Sequence, residues 1–235
     1  MIEPKPSEPA EPRVATIQSI YEDKPVSYFA NARADIVAML PTGPDSAILE
    51  LGCGAGGTGR AVLEAGKAGR YVGLELSPVA GAAAAEHLSE VLVGDVEALD
   101  LAPLQGAFDA LIVSEVLEHL TDPWTTLKRL AGCLKPGGRV YASSPNVANW
   151  KVIRGLLRGR FDYADKGVMD RTHLRWFTPD TYADLFRSAG FEVLECRPVT
   201  PLRSRSLVLD RITGGRLRHL LFTQIMVVAQ RPGAA

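Results

Sequence analysis

Several features are scarce in these 235 residues, and each scarcity excludes something. Cysteine occurs only at Cys53, Cys133 and Cys196. These positions are far apart and odd in number, which excludes a disulfide framework and predicts reduced, buried thiols in a cytoplasmic protein. No apolar run approaches the roughly 20 residues of a membrane-spanning helix. No internal repeat is present, and no group of histidines, cysteines and carboxylates has metal-ligand spacing, so no metal is expected. Aromatic residues make up 7% of the chain and do not stud a basic stripe, which argues against a nucleic-acid partner. The opening MIEPKPSEPAEPR lacks the apolar core of a signal peptide. Its proline and glutamate predict a disordered tail over residues 1–20, followed by one domain over 21–235.

What is abundant is glycine, at one place. In ILELGCGAGGTGR, Ile48 to Arg60, an apolar run ends at Glu50-Leu51, and five of the next eight residues are glycine. Ala47 to Leu51 reads as a buried strand and Thr58 to Ala65 as the start of a helix. The glycines therefore form a strand-to-helix turn, whose lack of Cβ atoms lets a ligand touch the main chain. Both Gly52, Gly54, Gly57 and Gly54, Gly56, Gly59 satisfy G-x-G-x-x-G, a pattern shared by several nucleotide cofactors. About twenty residues on, YVGLEL ends a second strand at Glu75-Leu76. A carboxylate there can accept both hydroxyls of a ribose.

Further strands follow at VLVGDVEAL, which presents Asp95, at FDALIVSEVLEHLTDP, which runs into Glu118-His119, and at LKPGGRVYASSPN. Helical patterns at Ala80 to Leu88 and Pro123 to Leu134 separate them. Such alternation implies a mostly parallel sheet covered on both faces. A nicotinamide-dependent oxidoreductase fits this less well. Tyr71, Tyr141, Tyr163 and Tyr182 are followed four residues later by Glu75, Pro145, Gly167 and Phe186, so none forms a Tyr-x-x-x-Lys pair.

With these motifs in this order, the chain resembles the class I S-adenosylmethionine-dependent methyltransferases from about Tyr21 to Arg231. PNVANW, GRFDY, DRTHLRWFTP and AGFEV resemble a bacterial subgroup associated with surface glycans and related small molecules. The resemblance implies a Rossmann-like, doubly wound, seven-stranded sheet with an antiparallel C-terminal strand pair. It implies S-adenosylmethionine against Gly52, Gly54 and Gly56, with Glu50 supporting the turn. Glu75, with Leu76 beside it, would hold the ribose hydroxyls. Asp95 would accept from the adenine amine, and the Val96 amide would donate to the ring. A second reading is a non-catalytic cofactor-binding partner subunit.

Methyl transfer to a hydroxyl needs alignment and a proton acceptor. His119, after the fourth strand, is one candidate, and Glu115 is a weaker one for a cofactor-side contact. The other candidate is His173, with Asp170 to orient it, in the long connector Arg158 to Pro179, between a helix expected over about Val147 to Leu157 and the next over Pro179 to Ala189. Tyr163, Arg175 and Trp176 would join them in a wall over the acceptor. From Lys151 to Arg218 the chain carries fourteen Lys/Arg against eight Asp/Glu. That excess suits an anionic substrate, a peripheral membrane contact around PLRSRSLVLDRITGGRLRH, or simply a solvated face.

Overall fold

The computed structural model describes residues 32–40 and 43–233. The expected N-terminal tail therefore lies outside the described residues. The elements are α1 (Ala34–Met39), β1 (Ala47–Leu51), α2 (Gly57–Glu64), β2 (Arg70–Glu75), α3 (Pro78–Ala85), β3 (Glu90–Val93), β4 (Phe108–Ser114) and α4 (Pro123–Cys133). Then follow β5 (Leu134–Pro145), α5 (Trp150–Leu156), α6 (Pro179–Ser188), β6 (Glu192–Pro198), α7 (Ser204–Ile212) and β7 (Gln224–Gln230).

The strands form one seven-stranded sheet in the order β3-β2-β1-β4-β5-β7-β6. Strands β1 to β5 pair in parallel. Strand β7 runs antiparallel to both β5 and β6, the reversal expected at the C-terminal end. Side-chain alternation divides the core between the two faces of the sheet. Leu49, Leu111 and Val113 join α4 and α6 in one buried cluster. Ile48, Ala110 and Ile112 join α1, α2 and α3 in the other.

Helix starts follow local chemistry. Ser77 accepts the Ala80 N–H at 3.3 Å, with Pro78 in the first turn of α3. Asp122 accepts the Thr125 N–H ahead of α4, and Thr178 and Thr181 cap α6 reciprocally. One boundary differs from the sequence pattern. The expected helix from about Val147 begins only at Trp150. The cause is long-range: Asn146 Nδ2 donates to the His219 and Phe222 carbonyls at 2.7 and 2.9 Å, and Asn149 Nδ2 donates to Phe222 O at 3.0 Å. These bonds hold PNVAN against the approach to β7, and Asn149 then caps α5 through the Lys151 N–H.

The thiols also divide. Cys53 and Cys133 are buried as expected, whereas Cys196 is exposed because β6 is the sheet's outer strand. Within the basic region, α7 leaves Val208 and Ile212 exposed among its arginines. No helix among the described residues is long and apolar enough to cross a membrane.

Candidate active site

At the carboxyl ends of β1, β2 and β4 a cavity of about 500 Å³ opens, where open α/β sheets bind ligands. Glu50, Gly52, Gly54, Glu75, Leu76, Asp95 and Val96 all line it, so seven of the eight residues expected at the cofactor meet on one surface. The turn works as its glycines suggest. Gly52 has φ +71° and Gly54 φ +55°. A Cβ on Gly52 would come within 2.5 Å of Val116 Cγ2. The Gly52 N–H returns to Leu74 O at 2.8 Å, which ties the turn to β2.

Gly56 is the exception. It is absent from the cavity wall and precedes α2 at φ +80°, where a Cβ would stand 3.1 Å from Ala84 Cα. Its small size lets the turn pack against α3.

Glu75 is held from behind. Oε2 accepts the Gly54 N–H at 2.8 Å and Oε1 the Ser77 N–H at 2.9 Å. Those amides use two of roughly four lone-pair directions, which leaves acceptor capacity for a pair of vicinal hydroxyls. Burial raises its pKa, and the amide bonds oppose that rise. Glu50 is 3% exposed and accepts the Tyr71 hydroxyl at 2.8 Å. Burial pushes its carboxyl up to about 7, against the pull of Tyr71 and Thr58. Burial likewise pushes the Cys53 thiol up, which disfavours its thiolate form. Asp95 Oδ1 accepts the Glu97 N–H at 2.9 Å, which fixes the turn after β3.

The other end of the cavity is built from a distance. Glu115 follows β4 with φ +55°, a left-handed conformation uncommon for a residue with a Cβ, and lines the wall. His119 also lines the wall, and its Nδ1 lies 3.2 Å from Thr172 O. None of Tyr163, Asp170, His173, Arg175 and Trp176 does so. The connector packs behind the Glu118-His119 turn rather than over the cavity. Leu174 N and Arg175 N both donate to Glu118 O, at 2.8 and 3.0 Å. His173 is buried with its ring 4.8 Å from that of His119, so it reaches the cavity through His119. Asp170 is buried and accepts both the Thr172 N–H and its hydroxyl, at 2.9 and 2.7 Å. Glu118 is buried beside Ser144, whose hydroxyl donates to Oε2 at 3.2 Å. Burial first, and then the charge of Glu115, raise its pKa well above the usual range.

Arg33 is a wall residue that no pattern signalled. It pairs with Asp35 at 2.8 Å and donates to the hydroxyls of Ser114 and Ser143. Its partners lie 81 and 110 residues away, so no local sequence cue marks it.

Comparison with known proteins agrees with this architecture. A methyltransferase-domain family profile matches residues 27–196, and the chain belongs to that family. No curated protein matches the sequence. Among solved structures, an S-adenosylmethionine-dependent methyltransferase from Mesorhizobium loti is 20% identical, with 89% of this chain and 99% of that one covered and a TM-score of 0.59. Phosphoethanolamine N-methyltransferase 2 of Haemonchus contortus, in complex with S-adenosyl-L-methionine, is 16% identical, with 85% and 51% covered and a TM-score of 0.61. The cyclase SpnF is 20% identical, with 85% and 80% covered and a TM-score of 0.60. At these identities the likeness is one of fold, and a fold hosting a cyclase does not by itself fix the reaction.

Proposed function

We propose that this chain is an S-adenosylmethionine-dependent methyltransferase that methylates a hydroxyl oxygen of a sugar, glycan or other small metabolite. The observation that carries the reading is the charge of the cavity. Glu75, Asp95, Glu97 and Glu115 line it beside Glu50, whose carboxyl burial pushes up to about 7, and Arg33 is paired with Asp35. Such a wall suits a cationic sulfonium cofactor with a ribose, and would oppose the pyrophosphate of a dinucleotide at the same turn. Glu75 has acceptor capacity turned to that wall, and Glu115 Oε1 is buried there without a hydrogen-bond partner among the described residues. Both fit a ligand that brings donors.

The cofactor, when bound, supplies a methyl group on a leaving group that departs neutral. What remains for the protein is to align the acceptor and accept its proton. His119 sits on the wall, and the Glu118, His119 and His173 group behind it is where the acceptor's proton would be handled. The partner-subunit alternative shares the cofactor site but transfers no label.

The protein incubated with methyl-labelled S-adenosylmethionine and glycan or metabolite extracts should place label on a small acceptor. In His119→Ala the transfer should fall by about 10² or more while cofactor affinity by calorimetry stays within a few fold. Label found on no acceptor would favour the partner-subunit reading. Cofactor affinity and transfer falling together would make His119 a binding residue instead.

A further inference from the structure

Two imidazoles and a carboxylate from distant parts of the chain meet behind the cavity. Glu118 and His119 come from the turn after β4, and His173 from the long connector. One ligand-type atom from each lies within 4.8 Å of the others. Glu118 is 1% exposed, and its Oε1 has no hydrogen-bond partner among the described residues. Both rings place Nδ1 on a backbone carbonyl, His119 at 3.2 Å from Thr172 O and His173 at 3.1 Å from Val168 O. In a neutral imidazole that arrangement puts the proton on Nδ1 and the lone pair on Nε2. It is the support that orients a metal-bound histidine.

We propose that Glu118, His119 and His173 form a binding site for a divalent first-row transition-metal ion of the zinc class, at the acceptor end of the cavity. Two nitrogen ligands and one oxygen favour that class over magnesium or calcium, which take oxygen donors. Bonds of about 2.0–2.2 Å would draw the three ligand atoms to within about 3.5 Å of one another. Side-chain rotation by roughly 1 Å closes that gap. Three protein ligands leave a coordination position open, and His119 is the ligand that also stands on the cavity wall. An acceptor hydroxyl there would lose its proton to water more readily, and the oxygen would then take the methyl group as the neutral thioether leaves. This last step rests on the methyltransferase reading, whereas ion binding does not.

The test uses the whole protein, stripped with a chelator and titrated with Co²⁺ as a spectroscopic probe. A single equivalent should develop ligand-field absorption that Zn²⁺ displaces, and saturating Zn²⁺ should raise Tm by roughly 5 °C. Glu118→Gln, which preserves size and the bond from Ser144, and His173→Ala should each weaken Co²⁺ binding by about a hundredfold or more. His87→Ala, remote from the cluster, should bind as wild type does. Failure of the unaltered protein to bind Co²⁺ stoichiometrically overturns the site, as does binding that survives both ligand variants. Ion binding without methyl transfer keeps the site and sinks the reaction. Methyl transfer that persists in the metal-stripped protein keeps the reaction and removes the ion from it.

Discussion

The two ends of the cavity are made in different ways. The end proposed for the cofactor is assembled from the turns after three consecutive strands, each carrying a candidate residue within a few positions of a strand end: Glu50 to Gly54, Glu75, and Asp95. The acceptor end is assembled from residues that only the tertiary fold brings together: Arg33 from ahead of the sheet, Glu115 and His119 after β4, and His173 behind them. Parallel β-α turns place their contents on one edge of the sheet by topology alone. The acceptor end instead depends on a connector held by its own main chain. A site of the first kind announces itself in sequence, and one of the second kind does not.

The largest expected effect tests whether Glu75 is the anchor of the first end. Glu75→Ala removes two bonds to a charged acceptor, each worth roughly 1.5–3 kcal/mol, so the Kd for S-adenosylmethionine should rise by about a hundredfold or more. The variant will also melt lower, because the Gly54 and Ser77 amides lose their acceptor. Calorimetry well below Tm separates the two effects, and an unchanged Kd would place the ribose elsewhere.

A middle-sized effect concerns the charge stored at the same end. The Glu50 carboxyl is pushed up to about 7 in the folded protein from an ordinary 4.5. Between those values the unfolded chain has lost the proton and the folded chain keeps it, so stability falls as pH rises from about 4.5 to 7 and is level above. The difference approaches about 3 kcal/mol. Glu50→Gln removes it while retaining an acceptor for Tyr71. Its Tm relative to wild type should therefore climb by several degrees between pH 5 and pH 8. Parallel Tm curves for the two proteins would contradict the assignment.

The smallest effect separates ligand-facing from packing glycines. Gly56→Ala places a side chain at φ +80°, against Ala84. Left-handed backbone and crowding together cost about 2 kcal/mol, or roughly 5 °C in Tm. Cofactor affinity of the folded variant should hardly move, since Gly56 is off the wall. A large loss of affinity would return Gly56 to the cofactor site.

Much of the fold was legible because its signals are local. The bounds of β1 were readable from AILEL, and the start of α4 was readable at Pro123, where Asp122 caps the helix and proline presets φ. The delayed start of α5 was not readable, because Asn146 and Asn149 bond to carbonyls more than 70 residues away. The same limit governed the site. The place of Glu75 on the wall was readable from its spacing to the glycines, whereas Arg33 had no such spacing. His173 was visible as a residue type in a suggestive connector, but its place behind His119 rather than on the wall is a tertiary fact.

The segment from Arg158 to Pro179 grips the Glu118 carbonyl through the amides of Leu174 and Arg175. A grip made by main-chain amides does not depend on the exposed side chains that the segment carries. Phe161 and Tyr163 stand exposed along it and meet Trp176 in edge-on and tilted contacts. They can therefore be exchanged over evolutionary time without loosening the anchor. The segment is a mount on which new surface chemistry can be tried while the cofactor turns stay fixed.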